Sequence, residues 1–170
     1  MVERDRYRHI PQAVSYTVPD LRVLFVATPA EGTASVKKAW RQGNCVLHTR
    51  QASNPTALES ALRQQKWDVL FVTPVPNEFS IEQTVAALRR HDLDIPCIVL
   101  LPDRVRLSLP EAMRLGAHDC VSFADRQRLV PTVERELAAV TLRNNLREQG
   151  VTDRLLQEID QYILQKYDLQ

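Results

Sequence analysis

From residue 21 onward, two kinds of apolar pattern alternate along the chain. One is a short run with little polar interruption. Such runs are Arg22-Val23-Leu24-Phe25-Val26-Ala27, Cys45-Val46-Leu47-His48-Thr49, Val69-Leu70-Phe71-Val72-Thr73, the stretch IPCIVLL from Ile95 to Leu101, and His118 to Ser122. The other repeats every three and four residues: Val36, Ala39 and Trp40; Leu58, Ala61 and Leu62; Ile81, Val85 and Leu88; Val133, Leu137 and Val140. Continuous runs read as strands buried on both faces, and the three-and-four spacing reads as helices with one buried stripe. Strands that alternate with helices predict an α/β domain with a parallel sheet covered on both sides. Right-handed crossovers then make it doubly wound, with its functional edge at the loops that follow the strands. Those loops begin near Ala27, Thr73, Leu101 and Phe123.

Local signals divide the helices. The first is predicted over 33–42, with Gly43 at its stop. Ser53-Asn54-Pro55 opens the second, and the third covers about 80–91. Ser108-Leu109-Pro110 opens a short fourth that ends at Gly116. The fifth is predicted over 129–149, with Pro131 in the first turn, the part of a helix where proline is tolerated. Gly150 is expected to break it, and Thr152 or Asp153 to cap a last helix with Leu156, Ile159 and Ile163 on its apolar side. The organisation expected is an N-terminal arm at 1–20 closed by Pro19, a domain at 21–149, and a helical extension at 150–170. That extension ends in LQKYDLQ without an obvious cap and reads as a linker toward an output domain. The fifth helix would run ~30 Å at 1.5 Å per residue. Leu142 and Leu146, near its end, need a cover. Either the last helix folds back as a hairpin or another protomer supplies it.

Composition narrows the functional classes. The chain has 170 residues, 44% apolar, with a formal net charge of +1 and a pI near 7.8. A near-neutral balance argues against a global field toward nucleic acid or anionic membrane. No run approaches the ~18–20 apolar residues of a membrane span, and MVERDRYRHIPQ lacks the apolar core of a signal peptide, so a cytoplasmic location is expected. Cys45, Cys97 and Cys120 match no metal or CxxC spacing and read as buried free thiols. His9, His48, His91 and His118 are scattered and read as structural. There is no GxGxxG, no GxxxxGK[ST] and no GxSxG, so neither a phosphate-cradling loop nor a nucleophile elbow is visible. The basic residues Lys37, Lys38, Arg41 and Arg50 lack interleaved aromatics and read as solvated.

The order and spacing, with WDVLFVT at 67–73, IPCIVLL at 95–101 and GAHDCVSF at 116–123, resemble the bacterial response-regulator receiver domain from about residue 21 to 140. The resemblance implies a CheY-like, flavodoxin-like five-stranded sheet in the order 2-1-3-4-5. It also locates the family's chemistry, and there the chain departs from the pattern. The acidic pair that holds Mg²⁺ corresponds to Ala27 and Thr28; magnesium wants oxygen ligands, preferably charged. The phosphoacceptor aspartate corresponds to Thr73, which has no carboxylate. The hydroxyl residue that hydrogen-bonds the phosphoryl group corresponds to Leu101, and the lysine that pairs with it to Phe123. Cys120 replaces the aromatic that reports the switch. Glu31, Glu78 and Asp103 lie near the same edge and read as solvated charges, with Asp103 or Asp125 able to cap a turn.

The expectation is a phosphorylation-independent pseudo-receiver, without catalytic residues, metal or cofactor. It would be a protein-interaction, dimerisation or localisation module with a protein partner or a second copy. WDVLFVTPVPNEFSIEQTVAALRRHDLDIPCIVL makes it most similar to the N-terminal receivers of degenerate GGDEF–EAL proteins of the FimX type. That likeness implies cyclic-di-GMP signalling, type IV pilus or twitching motility, and a possible cell-pole location. Interface residues are expected between Arg104 and Leu115 and between 129 and 146, with Arg104, Met113, Leu137, Leu142, Leu146, Leu156, Ile159 and Ile163 as candidates. Nucleic acid, membrane and small-molecule substrate are not expected. Two other readings stay open: a pseudo-receiver feeding an RNA-binding antiterminator output, against which Asp153, Glu158 and Asp160 speak, and a flavodoxin-like enzyme.

Overall fold

Along each inner strand, successive side chains enter two different apolar layers, because β side chains alternate in direction. In the computed structural model, which describes residues 20–41, 43, 45–75, 79–103 and 105–167, the elements are β1 (Asp20–Val26), α1 (Ala30–Trp40), β2 (Val46–Ala52), α2 (Pro55–Gln64), β3 (Val69–Val72), α3 (Ile81–Arg90), β4 (Cys97–Leu101), α4 (Leu109–Arg114), β5 (Asp119–Ser122) and α5 (Arg126–Tyr167). The strands form one parallel sheet in the order β2-β1-β3-β4-β5. This is the doubly wound CheY-like architecture that the sequence pattern and the receiver resemblance together imply. The expected N-terminal arm falls outside the described residues, apart from Asp20, which begins β1.

One layer holds Leu24, Val26, Leu70, Val72, Cys97, Val99 and Leu101 with Leu58, Leu62, Val85, Leu88 and Ala112 from α2, α3 and α4. The other holds Val23, Phe25, Phe71, Ile98, Leu100, Val121 and Phe123 with Val36, Trp40, Leu129 and Val133 from α1 and α5. Phe25 and Phe71 stack at 5.7 Å between ring centroids in that second layer. A strand buried on both faces must be apolar throughout, and β3 and β4 are fully buried at every position.

Three of the helix starts are held as the local sequence demands. Asn54 accepts the Ala57 N–H at 2.8 Å, with Pro55 in the first turn. Ser80 with Gln83, and Ser108 with Glu111, form reciprocal capping boxes. Several bounds differ from the sequence expectation. α1 starts at Ala30, because the Thr33 N–H already bonds the Pro29 carbonyl at 3.0 Å. β2 continues to Ala52, since its pairing with β1 holds through Val26 and Ala52. Pro131 lies beyond the first turn of α5, whose start is Arg126. Its ring is exposed there, and only one bond near the helix end is lost. Gly150 does not break the helix. α5 runs without interruption for 42 residues, so no separate last helix is capped at Thr152 or Asp153 and no hairpin covers Leu142 and Leu146. A single mid-helix glycine costs ~1 kcal/mol against alanine, too little to stop a helix propagating on both sides.

Ion pairs fix α5 to the sheet. The Asp119 carboxylate, almost fully buried at the start of β5, accepts from Arg135 at 2.5 Å, with Arg128 at 3.7 Å. Nearer the middle of the helix, Arg143 grips Asp94 with two bonds of 2.9 and 3.0 Å, and Arg147 lies 3.9 Å from the same carboxylate. The bidentate fork matches the carboxylate geometry. Across the opposite layer, Glu59 of α2 takes Arg90 and His91 at 2.5 Å each, tying α2 to the end of α3.

The Arg90 hydrogen bond, and after it the one from His91, hold the Glu59 carboxyl down at about 2 against an ordinary 4.5. A carboxylate depressed on folding stabilises fully above its unfolded pKa and loses that contribution as the pH falls toward the folded value. Urea unfolding between pH 4.5 and 2 should therefore show a falling midpoint in the wild type. The fall should be shallower in Glu59→Gln, with the two proteins converging at the acid end.

Candidate functional site

At the C-terminal rim of the sheet the chain leaves β1 through Ala27, a non-glycine residue with φ +50°. This left-handed turn lets the Ala27 N–H bond the Ala52 carbonyl at 2.9 Å and turns Thr28 inward, where it is fully buried. Thr73 follows β3 beside it, its N–H on the Val26 carbonyl at 3.0 Å. The two threonine side chains meet: Thr73 Oγ1 donates to Thr28 Oγ1 at 3.3 Å, and Thr28 Oγ1 donates to the Val26 carbonyl at 3.2 Å. Gln51 Nε2 donates to the Thr28 carbonyl from the β2 side. Each buried polar atom is satisfied internally, and no buried side-chain nitrogen or oxygen among the described residues lacks a partner.

Phe123 closes the rim from the other side. Its N–H bonds the Leu101 carbonyl at 2.9 Å, its carbonyl accepts from Ser35 Oγ of α1 at 2.6 Å, and its ring is buried. The ring lies over the bare backbone of Gly32. A Cβ added there would sit 2.6 Å from Phe123 Cζ and 2.9 Å from Thr28 Cγ2. Leu101, buried at the end of β4, belongs to the opposite layer with Cys120. The structure thus gathers Thr28, Thr73 and Phe123 around Gly32, with Ala27 and Leu101 on the adjoining backbone. The rim is packed with side chains and hydrogen-bonded hydroxyls. Among the described residues it presents no array of charged oxygens: Glu31 and Asp103 are exposed, and Asp103 accepts from Ser122 at 2.9 Å. Glu78 lies outside the described residues. No three His, Cys, Asp or Glu side chains converge among the described residues.

Gly32, Ser35 and Gln51 carry this arrangement and were not legible in advance. A glycine in the first turn of α1 facing an aromatic 91 positions later has no local signature. The thiols are only partly as expected. Cys97 and Cys120 are buried, and burial pushes them up to about 12 and about 11, with Asp119 adding to the second. Cys45 is only half-buried. His118 is structural, its Nδ1 accepting the Cys97 N–H at 3.0 Å.

The expected interface residues scatter over two regions. Met113 is exposed on α4, and Val105 and Leu109, eight and four residues earlier, are exposed with it. Arg104 lies outside the described residues. Leu137 is half-buried against the α1 side of α5. Leu142, Leu146, Leu156 and Ile159 are exposed on the part of α5 at and beyond the Asp94 clamp. Ile163 lies on α5, with its side chain outside the description. No described helix is long and apolar enough to cross a membrane.

No family model matches the chain, and no curated protein does. Solved structures do. A protein from Chloroflexus aurantiacus J-10-fl assigned as a response regulator is 18% identical, covering 70% of this chain and 98% of that one, with a TM-score of 0.58. The signal receiver domain of a protein from Vibrio parahaemolyticus assigned as a Luxo repressor is 15% identical, with 75% and 97% covered and a TM-score of 0.60. A fusion that carries residues 181–211 of the yeast Spc42 trimeric coiled coil is 15% identical, with 88% and 99% covered and a TM-score of 0.60. The fold is that of the response-regulator receiver.

Gly32→Ala should cost about 1–3 kcal/mol by overpacking. Phe123→Ala should cost about 3–5 kcal/mol through the cavity it leaves. In the double variant the two losses should fall well short of their sum, because the alanine methyl then enters space the ring has vacated. Urea unfolding of the four proteins measures this coupling.

Proposed function

We propose that this chain is a phosphorylation-independent pseudo-receiver, a non-enzymatic module that acts by presenting fixed surfaces to a protein partner or a second copy. The observation that carries this reading is the packed rim. A receiver's switch needs a carboxylate to be acylated, charged oxygens for a divalent ion and a cation for the phosphoryl group. Thr73, Ala27 with Thr28, and Phe123 stand at those places. The Phe123 ring on Gly32 and the Thr73–Thr28 hydrogen bond fill the room that ligands would need.

The surfaces offered are the α4 face with Val105, Leu109 and Met113, and the exposed apolar residues of α5. The similarity of WDVLFVTPVPNEFSIEQTVAALRRHDLDIPCIVL to FimX-type receivers supports a place in cyclic-di-GMP signalling and type IV pilus motility in the cytoplasm, at a cell pole.

Acetyl phosphate with Mg²⁺ should add no phosphoryl mass to the intact chain. Beryllofluoride with Mg²⁺ should leave the backbone amide spectrum unchanged around residues 27, 73 and 123. A Mg²⁺-dependent shift at those amides would sink the reading. Thr73→Asp alone should not create phosphorylation, since Phe123 and Gly32 still close the rim.

A further inference from the structure

Beyond Arg147, α5 leaves the sheet and continues for 20 residues to Tyr167. Four large apolar side chains share one face of this helix at and past the clamp: Leu142 (61% exposed), Leu146 (58%), Leu156 (55%) and Ile159 (53%). At 100° per residue they fall within about 140° of the helix circumference, with Asn145, Gln149 and Thr152 between them. Leu142 and Leu146 would be covered by the later residues if the helix turned back at Gly150. The helix does not turn, so among the described residues no part of this chain supplies the complementary half.

Charge decides the direction. Residues 142–147 carry Arg143 and Arg147 and no acid, a net +2. Residues 148–160 carry Glu148, Asp153, Glu158 and Asp160 against Arg154, a net −3. Asp94 answers part of the first charge, leaving the Asp94, Arg143 and Arg147 cluster at +1. Parallel helices in register would set acidic half against acidic half, with Glu148 flanking the partner's Asp153 on both sides of the seam. Antiparallel helices set the basic half of each against the acidic half of the other, and their helix dipoles oppose favourably. The same acidic residues disfavour an anionic membrane as the cover.

We propose that two copies of this chain exchange the projecting halves of α5 in an antiparallel pair. Leu142 of each packs against Ile159 of the other and Leu146 against Leu156, and the two-fold axis passes at the level of Val151. This rests on reading the chain as an interaction module and names its partner as a second copy. The overlap from Leu142 to Ile159 is ~25 Å long and would bury on the order of 1,000 Å² in total, about the minimum for a specific interface. It is the helical hairpin expected from the sequence, made between molecules rather than within one.

Light scattering of the full chain should show a dimer, and Leu146→Glu a monomer with unchanged helicity. In a Cys45→Ser background, Leu142→Cys and Ile159→Cys are made separately and oxidised with copper–phenanthroline. Neither should form a disulfide dimer alone, because identical positions lie ~25 Å apart along an antiparallel pair. A mixture should form a heterotypic disulfide. A monomeric wild type, or a disulfide in either variant alone, overturns the proposal. Either result leaves the packed rim standing, just as phosphorylation of Thr73 or a Mg²⁺-dependent response would overturn the rim reading and leave the pairing intact.

Discussion

The ring of Phe123 against the bare backbone of Gly32 is the contact on which the C-terminal edge of this sheet depends. It joins the end of β5 to the first turn of α1, and the Ser35 hydrogen bond to the Phe123 carbonyl holds the same two elements from one turn further on. Thr28 touches this contact through its γ-methyl and meets Thr73 through its hydroxyl, so the ends of β1 and β3 are drawn into it. In a domain of this fold the same edge could have been a polar, ion-holding cleft. Here it is continuous with the apolar layer beneath it.

A rim of this kind has little capacity to exist in two arrangements. Close-packed interiors resist continuous deformation, and switching needs alternatives of similar free energy that a ligand can tell apart. On the proposed reading, in which Thr73 and Phe123 stand at the places of the phosphoacceptor and its cation, the means of action left is to hold surfaces in fixed relation. The clamps along α5 serve that purpose. Asp119 with Arg135 and Asp94 with Arg143 couple the helix to the sheet at two levels, so whatever meets the projecting half also meets a domain of defined orientation.

Much of this was legible residue by residue. The runs at β3 and β4 are apolar at every position because both faces are covered, and that requirement is written into Val69 to Val72 and Cys97 to Leu101. The starts of α2, α3 and α4 were readable at Asn54, Ser80 and Ser108, because capping acts over three or four residues. The threonines, leucine and phenylalanine at the ends of β1, β3, β4 and β5 were readable as rim positions once the strands had been put in order. Gly32, Ser35 and Gln51 were not, since each acts on a partner from a distant strand or helix and none has a neighbour in sequence that betrays it. Gly150 misled in the other direction: a glycine that is compatible with a stop becomes one only if the chain gains by turning there.

By itself, then, the sequence determined the strand and helix alternation and the two-sided core. These follow from side-chain type and from short-range periodicity. The tertiary structure alone decided that the rim is filled rather than merely stripped, and that α5 is one unbroken rod that leaves its apolar face uncovered among the described residues. Both outcomes depend on which distant surfaces come within van der Waals reach. That is a property of the packed molecule, and no local stretch of the chain contains it.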